Sequence, residues 1–225
     1  MSIPNKDLNI WEHSLPLREL CRRRALDLEP EMDCARQGAE ILAPYLAGER
    51  KTVLDVGCGG GHFFNSLSRR GLNFDYFGLD YSPAMIEIAR DVFKLRGLDP
   101  GAFMLEDVRD LHGFGCQIAV AVNTLSFIAD YREPLQRLSD AGAELIVVRD
   151  NFGPETEIKW EIDGFLDPGS NHLKGYWNRW SVGETREFLQ SLGYDVSQAE
   201  DDHCRGRMEL VVEKPYHWSW MIAKR

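Results

Sequence analysis

The chain has 225 residues, 44% of them hydrophobic, which suits one α/β domain with a modest insertion. Its net charge of −10 and pI near 5.1 argue against nucleic acid as the main partner, since phosphate binding needs a basic surface. No apolar run of transmembrane length or signal peptide is visible, and Cys21, Cys34, Cys58, Cys116 and Cys204 stand singly; the expectation is a cytoplasmic protein with reduced thiols and no membrane partner.

Residues 1–50 read as a mostly helical N-terminal cap, with apolar positions such as Leu15, Leu17, Leu20, Ile41, Leu42 and Leu46. Arg22-Arg23-Arg24, the compact basic patch, reads as a solvated helix face. Residues 51–149 then alternate strands with helices, the mark of a doubly wound parallel sheet. The stretch from Val53 reads as a buried strand ending in Asp55, then a glycine-rich turn through Gly57-Cys58-Gly59-Gly60-Gly61, then a helix. Glycine lets backbone approach a ligand, and the helix start offers free N–H groups. Open α/β sheets bind ligands at this edge.

Three ligand loops compete for this segment. A phosphate-gripping P-loop needs a lysine where His62 and Phe63 follow Gly61. The dinucleotide fingerprint, counted from Gly57, needs glycine at His62. Asp/Glu-x-Gly-x-Gly-x-Gly is matched without a gap by Asp55, Gly57, Gly59 and Gly61. Here the sequence resembles the class I S-adenosylmethionine (SAM)-dependent methyltransferases. The resemblance implies that Asp55 and the first glycine hold the amino-acid end of SAM. A zwitterion without phosphate needs no lysine, and a partly shielded carboxylate favours its ammonium group.

Phe74–Asp80 reads as the second strand. Asp80 lies about twenty residues past the loop, where an acid can accept from both ribose hydroxyls. Ser82-Pro83 opens the next helix as N-cap and first helical residue. Phe103–Val108 resembles the family's third motif, which implies adenine contacts at Asp107 and Val108; taken alone, an acid there is a helix cap. Gln117–Asn123 is a central apolar strand. In the family, the segment after it, here Asn123–Phe127, passes beside the SAM methyl group. Cys58, Gly61, Tyr81, Met85 and Asn123 complete the residues expected at the cofactor.

The fifth strand is Ala143–Arg149, and residues 150–180 break the alternation. Ile158, Trp160 and Ile162 alternate with charged residues, a turn follows, and His172–Trp180 alternates again, so the reading is a β-hairpin insertion. Its aromatics are Phe152, Trp160, Phe165, Tyr176, Trp177 and Trp180, with acids between them. Such a surface stacks on a small planar or cationic acceptor, or packs the hairpin onto the domain. Trp160 and Trp177 are expected on one side of the hairpin, with Arg149 and Asn151 as further acceptor-site candidates. Base candidates are His172 and His203. A helix runs from Ser181 to Leu192, strand six is Tyr194–Ala199, Met208–Val212 is a further strand candidate, and His217–Lys224 ends the chain.

The histidines show no His-Glu-x-x-His spacing, so no metal site is expected; His203-Cys204 beside Asp201-Asp202 has the chemistry to ligate a metal, and an acidic loop is the favoured reading. The expectation is a single domain, 1–225, divided into the cap (1–50), the SAM-binding half (51–149), the insertion (150–180) and a C-terminal half (181–225). Its fold is a seven-stranded, mostly parallel sheet with an antiparallel last strand. The function implied is methyl transfer from SAM, with S-adenosylhomocysteine as product, to an oxygen or nitrogen of a small-molecule acceptor. The alternative is a SAM-binding partner subunit, or a modifier of protein or tRNA.

Overall fold

Alternation along the first strand sets the layers of the protein. The computed structural model describes residues 10–163 and 166–225. In chain order these form α1 (Leu15–Ala25), α2 (Asp33–Leu46), β1 (Lys51–Val56), α3 (Phe63–Arg69), β2 (Phe74–Asp80), α4 (Pro83–Leu95), β3 (Phe103–Leu105), β4 (Ile118–Val122), α5 (Arg132–Asp140) and β5 (Leu145–Gly153). There follow β6 (Trp160–Ile162), β7 (Lys174–Tyr176), β8 (Trp180–Ser181), α6 (Val182–Ser191), β9 (Asp195–Glu200), β10 (Glu209–Val211), β11 (Lys214–Tyr216) and β12 (Trp218–Lys224). Phe165 lies outside the described residues, as do residues 1–9 of the cap.

The main sheet runs β3-β2-β1-β4-β5-β12-β9, the first five strands parallel and β12 antiparallel to both its neighbours. These seven strands, mostly parallel with an antiparallel last strand, are the sheet expected; their order comes from the structure. A short eighth strand, β8, is added because β5 continues past Arg149 to Gly153, leaving backbone groups that Trp180 and Ser181 pair. Val53, Val120, Val147 and Trp220 face α2, α3 and α4. Leu54, Val56, Ala119, Ile146 and Met221 face α5 and α6. Each buried aliphatic side chain contributes about 1.5–3 kcal/mol, so a strand covered on both faces needs no polar alternation.

Several boundaries differ from expectation. Within the third motif, β3 ends at Leu105, before the acid, because Asp107 caps a 3₁₀ turn with its Oδ1 accepting from Arg109 N at 2.9 Å. Leu15, expected on the apolar face of the cap, is 62% exposed. The insertion is a hairpin, but a short one, with Trp160 opposite Tyr176. Side chains alternate along a strand, so Trp177 turns to the face away from Trp160. Trp160 is 41% exposed, whereas Trp177 is buried with Leu166, Cys204, Tyr216 and Trp218. The two tryptophans therefore do not share a side.

The segment around Met208–Val212 forms a second hairpin, β10–β11. Its two turn residues, Val212 and Glu213, have φ of +50° and +63°, the type I′ geometry that favours Asn-Gly. A left-handed residue with a Cβ costs roughly 1–2 kcal/mol, against about 0.5–1 kcal/mol of extra chain entropy for glycine. Glu213 is exposed, so Glu213→Gly is expected to raise stability by about 0.5 kcal/mol. Urea unfolding at neutral pH measures it; a destabilised variant would show that the turn is unstrained.

Candidate active site

Gly57, Gly59 and Gly61 all take left-handed backbone, with φ of +69°, +52° and +78°. A Cβ on Gly57 would lie 2.5 Å from Thr124 Oγ1, and one on Gly61 would lie 2.6 Å from the Phe103 ring. These two glycines let chain segments pack closely. A Cβ on Gly59 meets no protein atom within 4 Å. It would project into the open space of a cavity at the C-terminal edge of the sheet, which Gly59 lines.

Val56, Gly57, Gly59 and Leu79 form the base of this cavity. Asp80, Tyr81, Met85 and the segment Glu106–Arg109 make one side; Asn123, Thr124, Phe127, Ile128 and Ala129 make the other. Trp11 and Cys21 of the cap, His62 beside the glycine loop, and Tyr176 of the insertion complete the wall. The structure thus brings together Gly57, Gly59, Asp80, Tyr81, Met85, Asp107, Val108 and Asn123.

Asp80 is 8% exposed; its Oδ1 accepts from Ser82 N and its Oδ2 from Gly59 N, both at 2.9 Å. Burial pushes its carboxyl up to about 6, although the N–H donors favour the charged form. With the backbone N–H groups of Gly59, Tyr81 and Ser82 on it, the carboxylate still has acceptor capacity for a further donor. On the same side of the cavity, Arg109 spans both oxygens of Asp107. Burial raises the Asp107 carboxyl, and this ion pair outweighs it and holds the group below its usual value.

Asp55, Cys58 and Gly61 lie behind the lining rather than in it. Asp55 shares the pleat of Val53 and Tyr76, and its Oδ2 accepts from Tyr76 Oη at 2.5 Å. Burial pushes its carboxyl up to about 7. Cys58 is buried, with its thiol pushed far up by burial.

Arg149 sits one layer behind the wall. Its Nη1 donates to Asn123 Oδ1 and its Nε to Asp201 Oδ2 at 2.5 Å. It thereby fixes Asn123, a non-glycine residue at φ +59°. Asn151 is buried in a structural role: Nδ2 donates to Asn178 O at 3.0 Å, and Oδ1 accepts from His217 N at 2.9 Å. His172 is exposed in the insertion's turn, and His203 is exposed with Nδ1 2.9 Å from Asp33 Oδ2. Neither lines the cavity, because both stand on loops outside the sheet's edge. Trp177 packs against Phe127 and Tyr216, and Trp160 meets the Tyr176 ring at a tilt with centroids 4.6 Å apart, so the insertion reaches the cavity through Tyr176.

His62, Trp11 and Arg109 were not expected here. His62 directly follows the glycine loop, a positional signal open to reading; Trp11 carries none. Burial and Arg24 push the His62 imidazole down to about 4, and its buried Nδ1 has no partner among the described residues. It is therefore neutral at physiological pH.

Comparison with known proteins agrees with this geometry. The family profile of a methyltransferase domain matches residues 53–141. A carboxy-S-adenosyl-L-methionine synthase from Campylobacter hominis is 37% identical over 192 residues, spanning 80% of this chain and 78% of that protein. The chain belongs to the class I SAM-dependent methyltransferase family. A trans-aconitate 2-methyltransferase from Rhodococcus jostii is 34% identical over 99 residues, 44% of this chain and 36% of that protein. The structure of magnesium protoporphyrin IX methyltransferase from Synechocystis with bound SAM shares the fold: TM-score 0.58, 15% identity, 98% of this chain and 99% of that one. Among the described residues, no helix of this methyltransferase is long and apolar enough to cross a membrane.

Two expected outcomes follow from the glycine loop and from Asp55. Gly59→Ala should fold at a cost of about 1 kcal/mol for its φ, and should bind SAM at least tenfold more weakly because the new Cβ enters the cavity. Calorimetry giving wild-type affinity would place the cofactor elsewhere. For Asp55, a folded value near 7 against an ordinary 3.8 means that the native state binds more protons than the unfolded chain between those values. Stability should then fall as pH rises from about 4 to about 7, and Asp55→Asn should flatten that slope. Urea midpoints across the range test this; an unchanged slope in the variant would exclude Asp55 as its source.

Proposed function

We propose that this methyltransferase methylates a small-molecule acceptor held between Trp11, Phe127, Ile128 and Tyr176. The observation that carries the reading is the cavity's aromatic far wall, which continues beyond Asn123 from the glycine loop. Trp11 meets Phe127 edge-on at 5.1 Å. Such a wall excludes water and offers stacking area. The acidic chain, at net charge −10, favours a small acceptor over a nucleic acid.

The cavity fits the cofactor at the points this chain controls. Open space faces Gly59, and Asp80 keeps lone pairs free for the ribose hydroxyls. Met85 and Val108 supply apolar surface, and Asn123 lies toward the acceptor end. Bound SAM supplies an electrophilic methyl group on its sulfonium sulfur. The protein's part is alignment and exclusion of water. The acceptor wall is stiffened from behind: Asp150 accepts from Leu125 N at 2.6 Å and Ser126 N at 3.1 Å, and Asn178 Nδ2 donates to Ile128 O at 2.8 Å.

A second reading is favoured by the Campylobacter hominis similarity: SAM itself is the molecule modified, giving carboxy-SAM. Incubating the protein and SAM with small carboxylates, phenols and amines, followed by mass spectrometry, separates the two. The expected product pair is S-adenosylhomocysteine and a methylated acceptor. Tyr176→Ala should then raise the acceptor KM roughly two- to tenfold, equivalent to an aromatic contact of about 0.5–1.5 kcal/mol, with SAM affinity unchanged. A carboxylated SAM product would establish the second reading, and turnover only with protein or tRNA would overturn both.

A further inference from the structure

The loop after β9 carries His203 and Cys204, and the chain returns Glu209 to them at the start of β10. One ligand atom from each of these residues lies within 4.8 Å of the others. Cys204 Sγ is 3.4 Å from Glu209 Oε2, and His203 Nε2 is 3.6 Å from Glu209 Oε1. A tetrahedral cation with ligands at 2.0–2.3 Å needs them about 3.3–3.8 Å apart.

The surroundings orient these atoms. His203 Nδ1 lies 2.9 Å from Asp33 Oδ2, which leaves Nε2 as the ring nitrogen turned toward Glu209. A carboxylate on the remote nitrogen is the usual orienting partner of a metal-bound histidine. Trp218 Nε1 donates to Glu209 Oε2 at 2.7 Å and steadies that carboxylate. Cys204 N donates to Asp201 Oδ1 at 3.0 Å, and the thiol is buried beside Leu166, Trp177, Tyr216 and Trp218. Imidazole, thiolate and carboxylate together suit Zn²⁺.

We propose that His203, Cys204 and Glu209 form a binding site for a zinc-type divalent cation, with Asp33 orienting His203. None of the three lines the SAM cavity, so the site is separate from methyl transfer and independent of the acceptor's identity. Three protein ligands leave the fourth position to water. Ligation releases the Cys204 proton to solvent. The cation would tie the β9–β10 loop to the packed aromatic cluster at the start of β12. The competing arrangement is a hydrogen-bonded cluster without an ion, in which the Cys204 thiol donates to Glu209 and His203 pairs with Asp33.

Titration of the metal-free, full-length protein with cobalt chloride distinguishes these. One equivalent of Co²⁺ should produce a thiolate-to-cobalt charge-transfer band that zinc chloride abolishes by displacement. Cys204→Ser should lose the band, and Cys34→Ser, which removes another buried thiol, should retain it. His203→Ala and Asp33→Asn should each weaken Co²⁺ binding at least tenfold. Both of those side chains are 51% exposed, so their replacement leaves the fold intact and a loss is not unfolding. Zinc should raise the thermal midpoint of the wild type and not of His203→Ala. Absence of the band, its survival in Cys204→Ser, or unchanged affinity in His203→Ala would overturn the proposal.

Discussion

A buried guanidinium, that of Arg149, is the constraint around which the C-terminal edge of the sheet is arranged. Its side chain is 4% exposed. An unpaired charge there would cost several kcal/mol, so its partners must be in place. Asp201 supplies the counter-charge, Asn123 accepts from Nη1, and the Trp218 ring lies 4.2 Å beneath the guanidinium. Burial pushes the Asp201 carboxyl up, and Arg149 outweighs it and holds the group below its ordinary value. The cavity wall at Asn123, the loop after β9 and the start of β12 are therefore fixed against one another. Gln37 of α2 ties the same edge from the other face. Its Oε1 accepts from Trp220 Nε1 at 2.8 Å and Asp202 N at 2.9 Å, and its Nε2 donates to Glu200 O at 2.7 Å.

The acceptor end has its own polar scaffold. Asp150 is fully buried, raised by desolvation, and accepts from the backbone of Leu125, Ser126 and Asn151. Those bonds replace the water that a buried carboxyl and a tight turn would otherwise need. Asn178 bridges the same turn to the insertion, accepting from Lys159 N at 2.9 Å and donating to Ile128. Asp167 joins the roof to the cap: its Oδ2 accepts from Leu15 N and its N donates to His13 O, both at 2.8 Å. These bonds hold the segments from which Trp11 and Tyr176 line the cavity. Aromatic surface forms the wall, while buried amides and carboxylates decide where it stands.

Much of the cofactor side was legible because its signals are local. Gly57, Gly59 and Gly61 need left-handed backbone, and consecutive residues report that need. Asp80 ends a strand a short distance on, and a parallel neighbour of β1 has few other places to go. Asp55 belongs to the same motif, yet its carboxyl is buried and bonds Tyr76 under the helices that cover that face of β1, and no signal local to the motif reports that cover. Trp160 and Trp177 show the same limit. Their roles are set by the register that places Trp160 opposite Tyr176, and one residue of slip would exchange the two faces.

The sequence by itself determined the doubly wound architecture, the antiparallel last strand, the glycine turn and the acid at the end of β2. Each follows from hydrophobic period or from backbone conformations that few residues accept, properties read within a short window. Only the tertiary structure decided that Trp11 and Tyr176 close the cavity, that Arg149 stands behind Asn123, and that Glu209 meets His203 and Cys204. Those pairings join residues far apart in the chain. They arise where desolvated polar groups find partners and aromatic surfaces find cover, a condition that spacing along the sequence does not record.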